Sequence, residues 1–277
     1  RMWTYDANQK GYQYIHAQLT LPVINKEMFL NEFWSCATER TRYIFISQIT
    51  SGTGMILPIP EIVAEAKKRG IQTIIDGAHV PGHISLDIKE LDPDYYTGAL
   101  HKWLCCPKGV SFLYVKQDHQ DGIQPLVKSW GWGEEIPEFK ASTQLHSPSR
   151  FINVFQWQGT QDLAAYFTVP EAIQFQKDYD WNTVRQSCKK RIKDFRDTIT
   201  SLTGLPKLCP DDWLGQMATI LFPMADVEAF KNTLYDDYKI EIPTMAANGQ
   251  SAFRISIQGY NSEADVDRLI DVLKNLI

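Results

Sequence analysis

The clearest alternation of apolar and polar stretches lies between residues 43 and 115. YIFISQ, Tyr43 to Gln48, is a short apolar run that reads as a buried strand, and SGTG after it reads as a turn. PIPEIVAEAKKRG reads as a helix. Pro60 suits its first position, Lys67, Lys68 and Arg69 suit its last turn, and Gly70 suits its stop. IQTIID is the next strand and ends in Asp76. Strand, helix and strand in succession predict a right-handed crossover and a parallel sheet. PDYYTG and VSFLYV predict two further strands, with Lys102 in the connection between them.

From Gln161 the pattern becomes helical. DLAAYFTVPEAIQFQ reads as one helix and WNTVRQSCKKRIKDFRDTITSLTG as another, closed by Gly204. ATILF follows as a strand, then a helix near DVEAFKNTLYDDY, short strands at KIEIP and FRISI, and a last helix. Ser262 caps that helix with Asp265 three residues on, and Val266, Leu269, Ile270 and Leu273 form its apolar stripe. The expected organisation is a large α/β domain over residues 1–165, then connecting helices and a small α+β domain over 166–277. No internal repeat or low-complexity segment interrupts it.

Composition narrows the class. Of 277 residues 44% are hydrophobic and 12% aromatic, enough for a real core. The net charge of -5, without a basic run, gives no footprint for nucleic acid. No apolar stretch approaches the about 18 residues that a membrane span needs. Cys36, Cys105, Cys106, Cys188 and Cys209 are odd in number and lack C-x-x-C spacing, which reads as reduced thiols in a cytoplasmic protein. The chain begins with Arg1, and the expectation is a fragment whose N-terminal part is missing.

Candidate chemistry gathers in the first half. Asp76 stands at the carboxyl end of a strand, where open α/β sheets bind ligands, although an aspartate there also caps turns. The glycines of GAHVPG let the backbone approach something closely. His79 and His83 are four apart, and with Asp76 they would suit a metal-dependent hydrolase. Pro81 and Gly82 stand between them, however, and oppose the helix that would put them on one face. His83 reads better as a surface or turn histidine. Lys102 lies beside an apolar run. Burial there would lower its pKa and favour the neutral amine, which forms a Schiff base with an aldehyde. Pyridoxal 5'-phosphate (PLP) enzymes need such a lysine and an aspartate facing the pyridine nitrogen.

IIDGAHVPG, DPDYYTGALHKWLCCPKGVSFLYV, FQWQGTQD and FRISIQGYNSEADVDRL, in this order, resemble the class V aminotransferase family of fold type I PLP enzymes. Within it, the HKWLCCPKG and SWGW segments are most similar to the isopenicillin N epimerase branch. The resemblance implies a mainly parallel sheet in a large domain with a small C-terminal α+β domain. It gives Lys102 the bond to PLP, Asp76 the pyridine nitrogen, His79 the ring hydroxyl and His101 the phosphate. Gly159 and Thr160 would reach the phosphate in the other subunit of a homodimer, and Arg254 would grip the substrate carboxylate. Ala99 departs from the family, where many members have a phosphate-binding serine.

The resemblance also implies chemistry at the α-carbon of an amino acid or a peptide containing one. Epimerisation leads, with transamination or β-elimination as alternatives. The desulfurase branch needs a cysteine shortly before Arg254, and KIEIPTMAANGQSAFR has none. Cys105 and Cys106 read as small buried packing residues. Trp130 and Trp132 read as lining the substrate site or packing between domains. A non-catalytic family member is a further alternative, for which Ala99 speaks and Lys102, Asp76 and Arg254 speak against.

Overall fold

A computed structural model describes residues 2–129, 131, 149–156, 158–247 and 249–277. Helices α1 (Met2–Lys10) and α2 (Lys26–Ser35) come first. Strand β1 (Tyr43–Ser47) leads through α3 (Ile59–Lys68) to β2 (Gln72–Asp76), and β2 through α4 (Ile88–Leu91) to β3 (Tyr95–Ala99). With β4 (Ser111–Val115) these strands form one sheet in the order β1-β2-β3-β4. The first three are parallel and β4 is antiparallel. Helix α3 forms because Ile59, Ile62, Val63 and Ala66 recur at helical spacing, and all four are buried. Strand β1 is half-buried rather than buried throughout. It lies at the edge of this sheet, with Ile44 and Ile46 turned into the core and Tyr43 and Phe45 exposed.

The second half continues with α5 (Arg150–Gln156), α6 (Ala164–Phe167), α7 (Val169–Asp178) and the long α8 (Trp181–Thr203). Then follow β5 (Met217–Leu221), α9 (Val227–Asp236), β6 (Thr244–Ala247), β7 (Gln250–Ser256) and α10 (Glu263–Asn275). The three strands make an antiparallel sheet in the order β5-β7-β6. Gly204 ends α8 at φ 69, and Ser262 and Asp265 form the capping box of α10, as their sequence positions led us to expect.

Two expected elements differ. DLAAYFTVPEAIQFQ is two helices that meet at Thr168, because Pro170 lacks the N–H a continuous helix would use and fits the first turn of α7. KIEIP is not a strand. Lys239 turns left-handed at φ 58, and the Ile240 N–H closes α9 on the Leu234 carbonyl at 2.8 Å. Strand pairing starts only at Thr244, after Pro243. Ile240 and Ile242 do pack against the core, so their apolar pattern reports burial without a ladder.

One core joins the two sheets. Ile44, Ile75 and Tyr96 of the first sheet belong to the same buried cluster as Ile192 and Phe195 of α8 and Ile220, Phe253 and Ile255 of the second. Each such aliphatic or aromatic side chain contributes about 1.5–3 kcal/mol relative to its exposed state. The segment leaving β1 crosses to the second sheet. The Ile56 N–H donates to the Trp213 carbonyl at 2.9 Å, Met55 bridges to Leu214, and the Thr219 hydroxyl donates to the Gly52 carbonyl at 2.7 Å. This crossing brings β7 beside the carboxyl ends of the parallel strands. Among the described residues, no helix is long and apolar enough to cross a membrane.

Candidate active site

The register of the parallel strands aligns Ser47, Asp76 and Thr97 at their carboxyl ends. Asp76 is held there by both oxygens. Oδ2 accepts from the Ser47 hydroxyl at 3.1 Å and Oδ1 from the Ala78 N–H at 2.9 Å. The second bond is the turn cap that the sequence allowed. The first orients the carboxylate, and Asp76 stays half-buried at the mouth of the sheet.

The glycines of GAHVPG do permit close approach, and what approaches is the protein itself. A methyl group on Gly77 would lie 2.1 Å from the Tyr96 hydroxyl, and one on Gly82, at φ 82, would lie 2.5 Å from the Trp103 backbone carbon. Tyr96 is wholly buried, and its hydroxyl donates to Gln48 at 2.7 Å. Burial and the charge of Asp76 push this phenol well above its ordinary range.

His79 and Lys102 meet at the centre, where His79 Nε2 is 3.2 Å from Lys102 Nζ. On the other side of the ring the Trp103 indole N–H donates to His79 Nδ1, also at 3.2 Å. Burial pushes His79 down to about 4, and the positive charges of Lys102 and Arg254 add to this. The expectation that apolar neighbours bury Lys102 does not hold. Its side chain is exposed, while Trp103 and Leu104, which follow it, face inward. The lysine therefore stands open at the site.

His83 is a core residue rather than a surface or turn histidine, at 3% exposure. Its Nε2 accepts from the Gln216 N–H at 2.6 Å, so Nδ1 carries the proton and donates to the His79 carbonyl at 3.0 Å. Burial pushes it down to about 3. With both nitrogens used internally, His83 has no lone pair for a metal, which removes the Asp76–His79–His83 ligand set. His101 is half-buried, and its Nδ1–H donates to the Val110 carbonyl at 3.2 Å. Cys106 is buried as expected. Cys105 is exposed at φ 62, because the turn carries it outward.

Arg254 reaches the site from β7, where it pairs with Thr219. Its Nη1 donates to the carbonyl of Ser51 and lies 3.3 Å from that residue's hydroxyl. Its Nε is buried without a partner among the described residues. Thr160 is exposed after α5, next to Gly159 at φ 100, and no hydrogen bond among the described residues ties it to this cluster. Trp130 and Trp132 lie outside the described residues. Ser47, Ser51, Trp103 and Gln216 escaped sequence reasoning. Of these only Trp103 carried a signal, its place beside Lys102.

A carboxylate fixed at the end of a parallel strand, an open lysine against a neutral imidazole and an arginine from a second sheet agree with the site of a fold type I PLP enzyme. The donor set fits the cofactor. Lys102 would offer an amine to its aldehyde, Asp76 a carboxylate to its ring nitrogen, and His79 and His101 imidazoles. Arg254 has buried donor capacity left over. The class V aminotransferase model matches residues 8–269, and the chain belongs to that family of PLP-dependent enzymes.

Isopenicillin N epimerase from Amycolatopsis lactamdurans is 34% identical over 243 residues, covering 86% of this chain and 60% of that protein. A probable chloroplastic L-cysteine desulfhydrase from Arabidopsis thaliana is 25% identical over 297 residues, covering 97% of this chain and 59% of that protein. The cysteine desulfurase structure from Thermococcus onnurineus NA1 superimposes with a TM-score of 0.80 at 17% identity, covering 99% of this chain and 68% of that one. The chain thus spans about 60% of the length of the first curated relatives it matches.

Proposed function

We propose that the protein containing this chain acts at the α-carbon of an amino acid, or of a peptide containing one, by epimerisation of the isopenicillin N epimerase type. The observation that carries the reading is the meeting of Asp76, His79, Lys102 and Arg254 at the carboxyl ends of β2 and β3. PLP, when bound, supplies an aldehyde for the amine of Lys102 and a ring that accepts the electron pair left when an α-proton departs. Asp76 holds a proton on the pyridine nitrogen. Arg254 binds the substrate carboxylate through its planar guanidinium and so fixes which bond at the α-carbon faces Lys102. Lys102 Nζ, set free when the substrate's own amine takes its place at the aldehyde, would take the α-proton as general base. Epimerisation then requires a proton delivered to the opposite face. The 34% identity to an isopenicillin N epimerase favours this course.

A β-elimination reading has its own support, since a probable L-cysteine desulfhydrase is 25% identical over 97% of the chain. The persulfide-forming desulfurase course is disfavoured by the absence of cysteine from KIEIPTMAANGQSAFR. A homodimer in which Thr160 serves the neighbouring subunit's cofactor belongs to the same proposal.

The test is an absorption spectrum of the intact protein, desalted after incubation with PLP, beside Lys102→Ala. We expect a near-visible band in the wild type that the variant lacks. An amino-acid panel in deuterated water should then show α-proton exchange that falls by about 10²–10⁴-fold in the variant. Inversion without loss of a β-substituent identifies the epimerase, and pyruvate with a released thiol identifies the lyase. No band in either desalted protein after incubation with excess PLP overturns the proposal.

A further inference from the structure

The contacts of His79 fix more than its position. An indole N–H can only donate, so the 3.2 Å contact from Trp103 Nε1 requires a bare lone pair on His79 Nδ1. A neutral imidazole has one proton, which must then sit on Nε2, the atom 3.2 Å from Lys102 Nζ. We propose that Trp103 is a positioning residue that sets the tautomer of His79, so that His79 presents an N–H towards Lys102 and towards any ligand atom beside it.

Trp103 is built to hold this orientation. It is 8% exposed, and its ring lies 4.2 Å from that of His83. Its carbonyl accepts from the Gln258 side chain at 3.2 Å and the Gln176 side chain at 3.4 Å. The missing Cβ of Gly82 lets the neighbouring backbone pass within contact distance of it. His83 adds a second constraint, because its Nδ1–H is bonded to the carbonyl of His79 itself. The groups acting electrostatically on His79 are Lys102, Arg254 and Asp76. Burial opposes a second proton on the ring most, and the charge of Arg254, with that of Lys102 when it is protonated, opposes it further.

The consequence is directional. An Nε2–H needs an acceptor, so it complements the uncharged amine of Lys102, which has a lone pair, or an oxygen of a ligand. It offers nothing to an ammonium. With Nδ1 protonated instead, Nε2 would accept from an ammonium and favour the unreactive form of the lysine. The part of this consequence that concerns the cofactor rests on the function proposed above, whereas the tautomer does not.

Nitrogen-15 NMR of histidine-labelled, cofactor-free intact protein reads the tautomer directly, with His79 assigned by loss of its signals in His79→Gln. We expect a protonated Nε2 and a bare Nδ1 in the wild type. In Trp103→Phe, which keeps a ring against His83, the Nδ1–H form should become populated. A wild-type His79 protonated on Nδ1 overturns the inference, and so does an unchanged Nε2–H population in a folded Trp103→Phe. If that variant fails to fold, a wild-type His79 protonated on Nδ1 still overturns the inference. Failure of the wild type to take up PLP would count against the proposed function and leave the tautomer result standing.

Discussion

Gly215 has no room for a methyl group. Its added Cβ would meet His83 Nε2 at 2.3 Å, and that ring cannot swing aside because it is buried and bonded at both nitrogens. Gly215→Ala should therefore break the bond from the Gln216 N–H and destabilise the protein by about 1–3 kcal/mol, the usual cost of overpacking. Thermal melting checks this, and an unchanged Tm would show that His83 is not held as described. A second effect follows at a distance. His83 leans on Trp103 and on the His79 carbonyl, so this one glycine just before β5 supports the geometry at Lys102.

Elements meet at the site through their ends rather than their middles. Strands β1, β2 and β3 deliver Ser47, Asp76 and Thr97 in register, and the turn after β3 delivers His101, Lys102 and Trp103. Strand β7 delivers Arg254, and the segment after it delivers Gln258 to the Trp103 carbonyl. Helix α10 follows that segment and starts from a full capping box, with the Ser262 hydroxyl accepting from the Asp265 N–H at 3.2 Å and the Asp265 carboxylate accepting from the Ser262 N–H at 2.7 Å. Ser262→Ala should cost about 1 kcal/mol by chemical denaturation. The position of the PLP band should not change, because the cap lies outside the site. A shifted band would mean that the start of α10 orients Gln258 more strongly than these contacts indicate.

At the scale of the whole molecule, two neutral histidines tie stability to pH. His79 is held at about 4 and His83 at about 3, against an ordinary 6.5. Both shifts are downward, so the unfolded chain takes up protons near pH 6.5 that the folded chain refuses. Stability is complete above about 6.5 and declines as pH falls through the window down to the folded values. The slope approaches about 1.4 kcal/mol per pH unit for each fully shifted group. Between pH 7 and pH 5 the two contribute about equally, because both folded values lie below that range. Urea unfolding at pH 7, 6 and 5 should show the decline, with a shallower slope in His83→Gln. Equal stability at pH 7 and pH 5 would refute the buried, neutral state of these rings.

Local chemistry wrote much of this into the chain. Apolar spacing in PIPEIVAEAKKRG, the capping box at Ser262 and the glycine at 204 each act within a few residues, so their elements could be read without the fold. Asp76, Lys102 and Arg254 were legible as candidates because strand ends and motifs mark them. The burial of His83, the exposure of Lys102 and the failure of KIEIP to pair were not legible. Each depends on residues far off in sequence, such as Gln216 for His83 and the β7 ladder for Thr244. The same holds for the proton on His79. The sequence places an indole beside the lysine, but only the packing of Gly82, Gln176 and Gln258 around Trp103 turns that indole towards the imidazole, because a hydrogen bond requires an orientation that no local spacing specifies.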